Sequence, residues 1–237
     1  MRRERAGALP SLAKRGEGGR VVLVANATRG IGGSSVAALL ALACAREDRD
    51  TLLVVGDGPL DGGPQPGSTV HRLGVASLHD AAPLCGDYDL VIVDAGSRFD
   101  AAIAASALGI WRLVAVSGAD AVESASAYAL VKAISTRWPE VVVELLVNQH
   151  EPDRGMNAFY TVNAASERFL ARRIRYAGTI PEDDELRAAA GDGTPMSDLV
   201  GRTRAGLAAQ LVAARLLAEL DEDARRSVAH RPLHLRH

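Results

Sequence analysis

Short apolar runs alternate with longer segments of helical periodicity along this chain. Five runs place apolar residues at nearly consecutive positions, which is typical of strands buried on both faces of a sheet: 21–25, 52–55, 90–93, 113–116 and 141–147. Shorter strands are expected near Val70 and Ile174. Helices are predicted between and after the strands, over residues 34–46, 76–85, 99–108, 120–137, 156–172, 183–190 and 203–220. The alternation predicts an α/β fold, a doubly wound and mostly parallel sheet flanked by helices, with its ligand crevice at the carboxyl ends of the strands.

The length of 237 residues suits one large domain, which we expect to span residues 20–220. Residues 1–19 are charged and glycine-rich, so they predict a flexible basic leader, and residues 221–237 predict a flexible tail. The segment 56–67 is too rich in glycine and proline to be regular.

Composition narrows the classes of function. A net charge of −2 argues against general nucleic-acid binding. No apolar stretch approaches about 18 residues, so no membrane span is expected. Cys44 and Cys85 are interpreted as reduced, mostly buried residues, which favours a cytoplasmic protein.

A glycine-rich segment joins the first predicted strand to the first helix and resembles a phosphate-binding loop. Such loops hold an anion with backbone N–H groups, a lysine and a hydroxyl that ligates Mg²⁺. The candidate nucleotide-binding residues here are Gly30, Gly32, Gly33, Ser34 and Ser35. Gly33 stands where the lysine is expected, and the only lysines of the chain are Lys14 and Lys132. The segment therefore predicts weak binding of ATP or ADP with Mg²⁺, or a strand-to-helix turn that binds nothing.

Two oxygen ligands could hold the magnesium ion. Asp94 ends the apolar run 90–93, where a carboxylate can hold Mg²⁺ through water, and Ser34 is the candidate direct ligand. Each residue has a structural alternative, because Asp94 could cap the helix expected near Phe99 and Ser34 could cap the helix after the loop.

Together with this loop, four further segments resemble the MinD/ParA family of dimerising ATPases, especially its MinD-like flagellar-number regulators. The resemblance covers about residues 20–220 and is carried by Tyr88-Asp-Leu-Val-Ile-Val-Asp-Ala-Gly96, Ala127-Tyr-Ala-Leu-Val-Lys132, Leu146-Val-Asn-Gln149 and Gly178-Thr-Ile-Pro-Glu-Asp183. It implies a nucleotide-binding P-loop fold.

The family's loop reads K-G-G-x-G-K-[ST]-[ST], and this chain departs from it at both lysines. The signature lysine falls on Thr28, the phosphate lysine on Gly33 and the Mg²⁺ hydroxyl on Ser34. In the family the signature lysine reaches across a dimer closed around ATP. Thr28 therefore argues against nucleotide-controlled dimerisation, while a homodimer of another kind stays open.

Three other functional positions of the family match by residue type. The resemblance places its two acidic residues on Asp57 and Asp94, which would serve catalysis if the protein is active, and its adenine-contacting asparagine on Asn148. It implies a pseudo-ATPase that regulates the position, number or assembly of a surface organelle, such as a flagellum or secretion machine. The expected partner is a protein of a membrane-associated machine. An active ATPase of the same family remains the first alternative.

A short-chain dehydrogenase is the second alternative. The spacing of Tyr128 and Lys132 matches the Y-x-x-x-K pair of those enzymes, in which Ser117 would orient the substrate. Asn26 argues against it, because it replaces the first glycine of their cofactor loop.

Overall fold

A computed structural model describes residues 20–55, 70–74, 83, 85–97, 110–192 and 194–229, and its strands form one sheet. All described strand pairs are parallel, in the order β3-β2-β4-β1-β5-β6-β7. The strands are β1 Arg20–Asn26, β2 Thr51–Val55, β3 Val70–Gly74, β4 Leu90–Asp94, β5 Ile110–Ser117, β6 Val142–Asn148 and β7 Arg175–Ile180. The predicted α/β fold with a mostly parallel sheet is confirmed.

Helices cover both faces of this sheet, because successive residues of a strand point to opposite sides. The helices are α1 Gly33–Arg46, α2 Ala121–Arg137, α3 Pro152–Leu170, α4 Asp184–Asp192 and α5 Arg204–Ala229. In β1, Val22 and Val24 pack with α1 and α5, whereas Val21 and Leu23 pack with α2 and α3. Both faces of the central strand are therefore core, which explains the unbroken apolar run in its sequence.

The helix boundaries follow local capping chemistry. The Asp120 carboxylate accepts the N–H of Glu123 at 2.7 Å, and the Glu123 carboxylate accepts the N–H of Asp120 at 3.1 Å. This reciprocal pair fixes the start of α2. Pro152 opens α3 earlier than predicted, since a proline needs no N–H partner in the first turn of a helix.

The carboxyl-terminal boundary differs from the prediction. A flexible tail was expected from residue 221, but α5 continues to Ala229. The Asp221 carboxylate accepts a hydrogen bond from Arg49 at 2.6 Å, which ties this part of the helix to the residues just before β2. Residues 230–237 lie outside the described residues, as do the expected leader 1–19, the loop 56–67 and the helix predicted over 99–108. Of the helix predicted over 76–85, only residues 83 and 85 are described.

A buried ionic cluster lies near the amino ends of β5 and β6. The Arg112 guanidinium forms ion pairs with Glu144 and, at 2.7 Å, with Glu219. Arg112 is 1% exposed and also lies over the Trp111 ring, 4.2 Å from its centroid. Burial tends to raise the pKa of Glu219, but the hydrogen bond from Arg112 and the charges of Arg112, Arg175 and Arg215 outweigh it and lower the pKa. The cluster joins α5 to the sheet.

Both cysteines are free and buried, as predicted. Burial raises the pKa of the Cys44 thiol to about 12, so this thiol stays protonated at neutral pH. None of the helices in the described ranges combines the length and the apolar character needed to cross a bilayer.

Candidate nucleotide site

The carboxyl ends of β1, β4 and β5 define the crevice. The connection from β1 runs toward the β3 edge of the sheet, where β2 lies. The connection from β5 runs in the opposite direction, toward β6 and the β7 edge. Such a reversal opens a space between the loops that follow the two strands. Backbone bonds join these ends, because Ala27 N–H donates to Val116 at 2.9 Å and Asn26 N–H donates to Gly96 at 2.8 Å.

The glycine loop turns sharply between β1 and α1. Gly30 has φ 79° and Gly32 has φ 78°, a left-handed conformation that favours glycine. Helix α1 begins at Gly33 without a side-chain cap or an acidic residue in its first turn. The positive end of its dipole thus faces the crevice without a carboxylate of its own.

Asn148, the candidate adenine-binding residue, holds this loop in place. It is 5% exposed, and its side-chain N–H donates to the carbonyl of Ile31 at 2.7 Å. A Cβ atom on Gly32 would lie 2.7 Å from the same Asn148 nitrogen. Gly32 is thus required by its backbone angle and by the closeness of Asn148.

Asn26 fills the space beside Gly33. A Cβ atom built on Gly33 would lie 1.4 Å from Oδ1 of Asn26 and 2.3 Å from its Cγ. Real Cβ atoms essentially never approach below 3.0 Å, so no residue with a side chain fits at position 33 while Asn26 stays where it is. The Oδ1 atom is also buried, without a hydrogen-bond partner within the described residues. The carboxamide of Asn26 therefore occupies the place of the Cβ atom that a lysine at position 33 would have.

The candidate magnesium ligands lie at the same edge of the sheet. Asp94 is 7% exposed, pairs in register with Val24, and accepts the N–H of Gly96 at 2.9 Å through Oδ1. Ser34 is exposed in the first turn of α1. Asp57 lies outside the described residues. Within the described ranges, no three His, Cys, Asp or Glu residues are grouped as a metal site.

Positive charge near the loop is sparse. Arg29 is exposed at the tip of the loop, and Thr28 is half-buried where the family has its signature lysine. Lys132 lies on the exposed side of α2, well along the helix from the crevice. Within the described part of the loop, backbone N–H groups and the dipole of α1 are thus the main features that favour an anion.

Comparison with known proteins identifies a relative in sequence. No family model matches this chain. The antiactivator FleN of Pseudomonas aeruginosa is 25% identical over 176 residues, which cover 72% of this chain and 63% of FleN. The chain therefore spans less than two thirds of the relative that it matches.

Solved structures share the fold. The MinC:MinD cell division protein complex of Aquifex aeolicus matches with a TM-score of 0.66 and 16% identity, over 84% of this chain and 96% of the other. A ParA family ATPase from Chlorobium tepidum matches with a TM-score of 0.66 and 17% identity, over 84% and 99%. The septum site-determining protein MinD of Pyrococcus horikoshii, complexed with Mg-ADP, matches with a TM-score of 0.62 and 15% identity, over 83% and 95%.

The chain is similar in sequence to FleN and shares the fold of the MinD and ParA family structures. The chain departs from the loop of the family that it resembles in geometry as well as in sequence. The Asn26 side chain stands against Gly33, and the described loop contains no lysine. These residues do not fit the triphosphate that the family's two lysines would neutralise, and no catalytic step follows from them.

The side-chain contacts of the described residues argue against the dehydrogenase alternative. The Tyr128 ring packs edge-on against Phe169, with 6.3 Å between centroids. The Ser117 hydroxyl hydrogen-bonds the carbonyls of Gly118 at 3.0 Å and Glu123 at 3.3 Å. The described contacts therefore do not bring Tyr128 and Ser117 together as a catalytic pair.

Sequence reasoning missed the role of Asn26. In the sequence alone, Asn26 stands out only as a departure from a dehydrogenase loop. A polar side chain that ends β1 directly before the loop, combined with a glycine in place of lysine, was the available signal. Its meaning depends on the curvature of the loop, which brings positions 26 and 33 together.

Proposed function

We propose that this chain is a MinD-like pseudo-ATPase that acts through protein contacts. It would regulate the placement, number or assembly of a bacterial surface organelle such as a flagellum or secretion machine. The protein would be cytoplasmic, and a partner protein of the flagellum or secretion machine would recruit it to the membrane. The candidate site would bind ATP or ADP with Mg²⁺ weakly at best, through Gly30, Gly32, Gly33, Ser34 and Ser35, with Asp94 on the metal and Asn148 beside the base.

The contact between Asn26 and Gly33 carries this proposal. A loop that had merely lost its lysine would keep room for it, whereas here the carboxamide occupies the start of that side chain. Two unit charges about 4 Å apart, at an effective dielectric of about 20, attract by roughly 4 kcal/mol. Loss of that attraction corresponds to about a thousandfold in an equilibrium constant. Catalysis should suffer further, because the lysine also stabilises charge that develops in the transition state.

The names of the similar proteins support a regulatory role. FleN is described as an antiactivator, and one structural neighbour was solved as a complex of MinD with MinC. Both descriptions concern proteins that act on or with other proteins. We propose the same kind of action on other proteins for the present chain. The proposed role at a surface organelle rests on the family resemblance alone.

Calorimetric titration tests the nucleotide part of the proposal. The full chain is titrated with ATP and ADP in the presence of Mg²⁺, beside the variants Gly33→Lys, Asn26→Ala and Asn26→Ala/Gly33→Lys. We expect weak or undetectable binding to the native chain and to Gly33→Lys, and a gain of at least about tenfold in the double variant. Gly86→Lys is the matched control, because a Cβ atom at Gly86 meets nothing within 4 Å and the site is elsewhere.

Assembly and turnover provide the decisive contrast with the alternative. The native chain should show the same mass by light scattering with and without ATP, and phosphate release at background. ATP-dependent dimerisation, together with Mg²⁺-dependent phosphate release that disappears in Asp94→Ala, would establish an active ATPase and refute the proposal.

A further inference from the structure

A groove lies at the amino ends of the strands, at the opposite end of the sheet from the nucleotide crevice. Its volume is about 580 Å³, and it is formed at the amino ends of β1 and β5 and at the carboxyl end of α2. We call it the tryptophan groove, and its main lining residues are Arg20, Trp111, Arg137, Trp138, Pro139 and Glu140. The length of β1 separates it from the glycine loop by roughly 20 Å, at about 3.3 Å per residue.

The outer wall of the groove is held by hydrogen bonds. The Arg172 guanidinium donates to the carbonyl of Pro139 at 2.8 Å and to the carbonyl of Val141. The N–H of Trp138 donates to Ile134 at 2.8 Å, and Val141 N–H donates to Trp138 at 3.2 Å. The wall is therefore ordered before any ligand arrives, which lowers the entropy cost of binding.

The unbalanced charge of the groove is positive. Arg20 and Arg137 both line it, and within the described residues neither takes part in an ion pair. The charge of Glu140 is offset by Arg172. Burial lowers the pKa of Arg172, and the nearby Glu140 carboxylate partly counteracts this effect. Arg112, behind Trp111, is paired with acidic residues of the buried cluster.

We propose that the tryptophan groove binds an acidic, apolar segment of a partner protein. An aliphatic or proline side chain of the partner lies against the indole of Trp138. Its carboxylates pair with Arg137 and with Arg20, whose guanidinium lies over the Trp111 ring, 5.8 Å from the centroid. Aromatic grooves with a flanking charge suit short extended segments, because the apolar contact supplies affinity and the charges set orientation.

Charge selects this occupant over two others. Residues 1–19 carry Arg2, Arg3, Arg5, Lys14 and Arg15 against only Glu4 and Glu17, so the chain's own leader has the same sign as the groove. A second copy docking through the same groove would bring the arginines of the two copies together. An acidic partner meets neither repulsion.

The chain provides its own reporter for the test. Trp111 and Trp138 are the only tryptophans of the sequence, so intrinsic tryptophan emission of the full chain comes entirely from the groove. The probe is the blocked peptide Asp-Leu-Pro-Leu-Asp. Its two counterparts carry lysine in place of aspartate and glycine in place of leucine.

We expect the acidic peptide to change the emission with saturation, and both counterparts to bind at least about tenfold more weakly. Arg20→Glu and Arg137→Glu should each weaken binding at least about fivefold, since one exposed charge pair at about 4 Å contributes roughly that factor in water. Arg154→Glu, an exposed change at the start of α3, is the matched control and should leave binding unchanged. Asn26→Ala/Gly33→Lys should also bind the peptide normally. The result of the peptide test is therefore independent of whether the nucleotide proposal is correct.

Several outcomes would overturn the inference. An emission that no peptide changes, or equal binding of the acidic and basic peptides, contradicts it. So does unchanged affinity in both Arg20→Glu and Arg137→Glu. If the emission of the peptide-free chain shifts in Leu9→Asp/Leu12→Asp, the leader fills the groove and the partner assignment is wrong.

Discussion

Asp183 joins the beginnings of two helices with one carboxylate. Its Oδ1 accepts the N–H groups of Glu185 at 3.0 Å and Leu186 at 3.1 Å, in the first turn of α4. Its Oδ2 accepts the N–H of Ala205 at 2.8 Å, in the first turn of α5. Burial tends to raise the pKa of Asp183, but these hydrogen bonds and one from the Thr203 side chain outweigh it, so the pKa lies below its ordinary value.

Asp183→Ala removes the acceptors at both helix starts. Loss of one capping residue costs roughly 0.5–2 kcal/mol, and hydrogen bonds to a charged group are at the strong end of their range. Because the freed N–H groups of this half-buried site can reach water, we expect a total loss of about 2 kcal/mol in the free energy of unfolding. For a chain of this size that corresponds to a fall in melting temperature of about 4–8 °C.

Urea unfolding monitored by circular dichroism measures the effect. Asp184→Ala is the matched control, since that neighbouring side chain is 93% exposed and should change stability by less than about 0.5 kcal/mol. Asp183→Asn keeps one neutral acceptor and should lose about half as much. A loss in Asp183→Ala no larger than in Asp184→Ala would refute the double-cap reasoning.

The pH dependence has a definite sign. Because the folded-state pKa of Asp183 is lowered, its contribution is complete above the unfolded value of about 3.9 and declines as pH falls through the folded value. The stability difference between the native chain and Asp183→Asn should therefore be constant from about pH 5 to 8 and should shrink in more acidic solution. A difference that grows toward acid contradicts this assignment.

Three further predictions concern the core. Cys44 should resist alkylation by iodoacetamide at pH 8 until denaturant is added, because burial raises its pKa to about 12, and rapid labelling of the native chain would contradict this. Gly155→Ala should destabilise the protein by about 1–3 kcal/mol, since the new Cβ would lie 1.8 Å from the Thr179 hydroxyl oxygen, and thermal melts should show no such loss for Gly86→Ala. Glu144→Gln should cost about 3–5 kcal/mol in chemical unfolding because it removes a charge that faces buried Arg112; a neutral result would show that Glu219 alone suffices.

The sheet and most of the described helices could be predicted from the sequence because their signals are local and repeated. The continuous apolar runs at 21–25 and 90–93 are short and rich in valine, which favours strands covered on both faces. The chain order of strands and helices then leads to a parallel sheet. The position of the glycine loop followed from the same pattern, since it lies directly between a strand and a helix.

Contacts between distant positions could not be predicted in this way. Asn148 and Ile31 are far apart in sequence, and their hydrogen bond depends on the neighbouring positions of β1, β5 and β6. Arg112 lies within an apolar run, where a charged residue usually marks exposure, yet it is buried because Glu144 on the next strand pairs with it. Local periodicity contains no information about such partners.

The pairing of Asn26 with Gly33 has an evolutionary consequence. Lysine introduced at 33 collides with the asparagine, and a small residue introduced at 26 leaves a gap without adding a charge. Neither change alone places a lysine in the loop with Asn26 out of its way, so a lineage that is to acquire that lysine needs two coordinated substitutions.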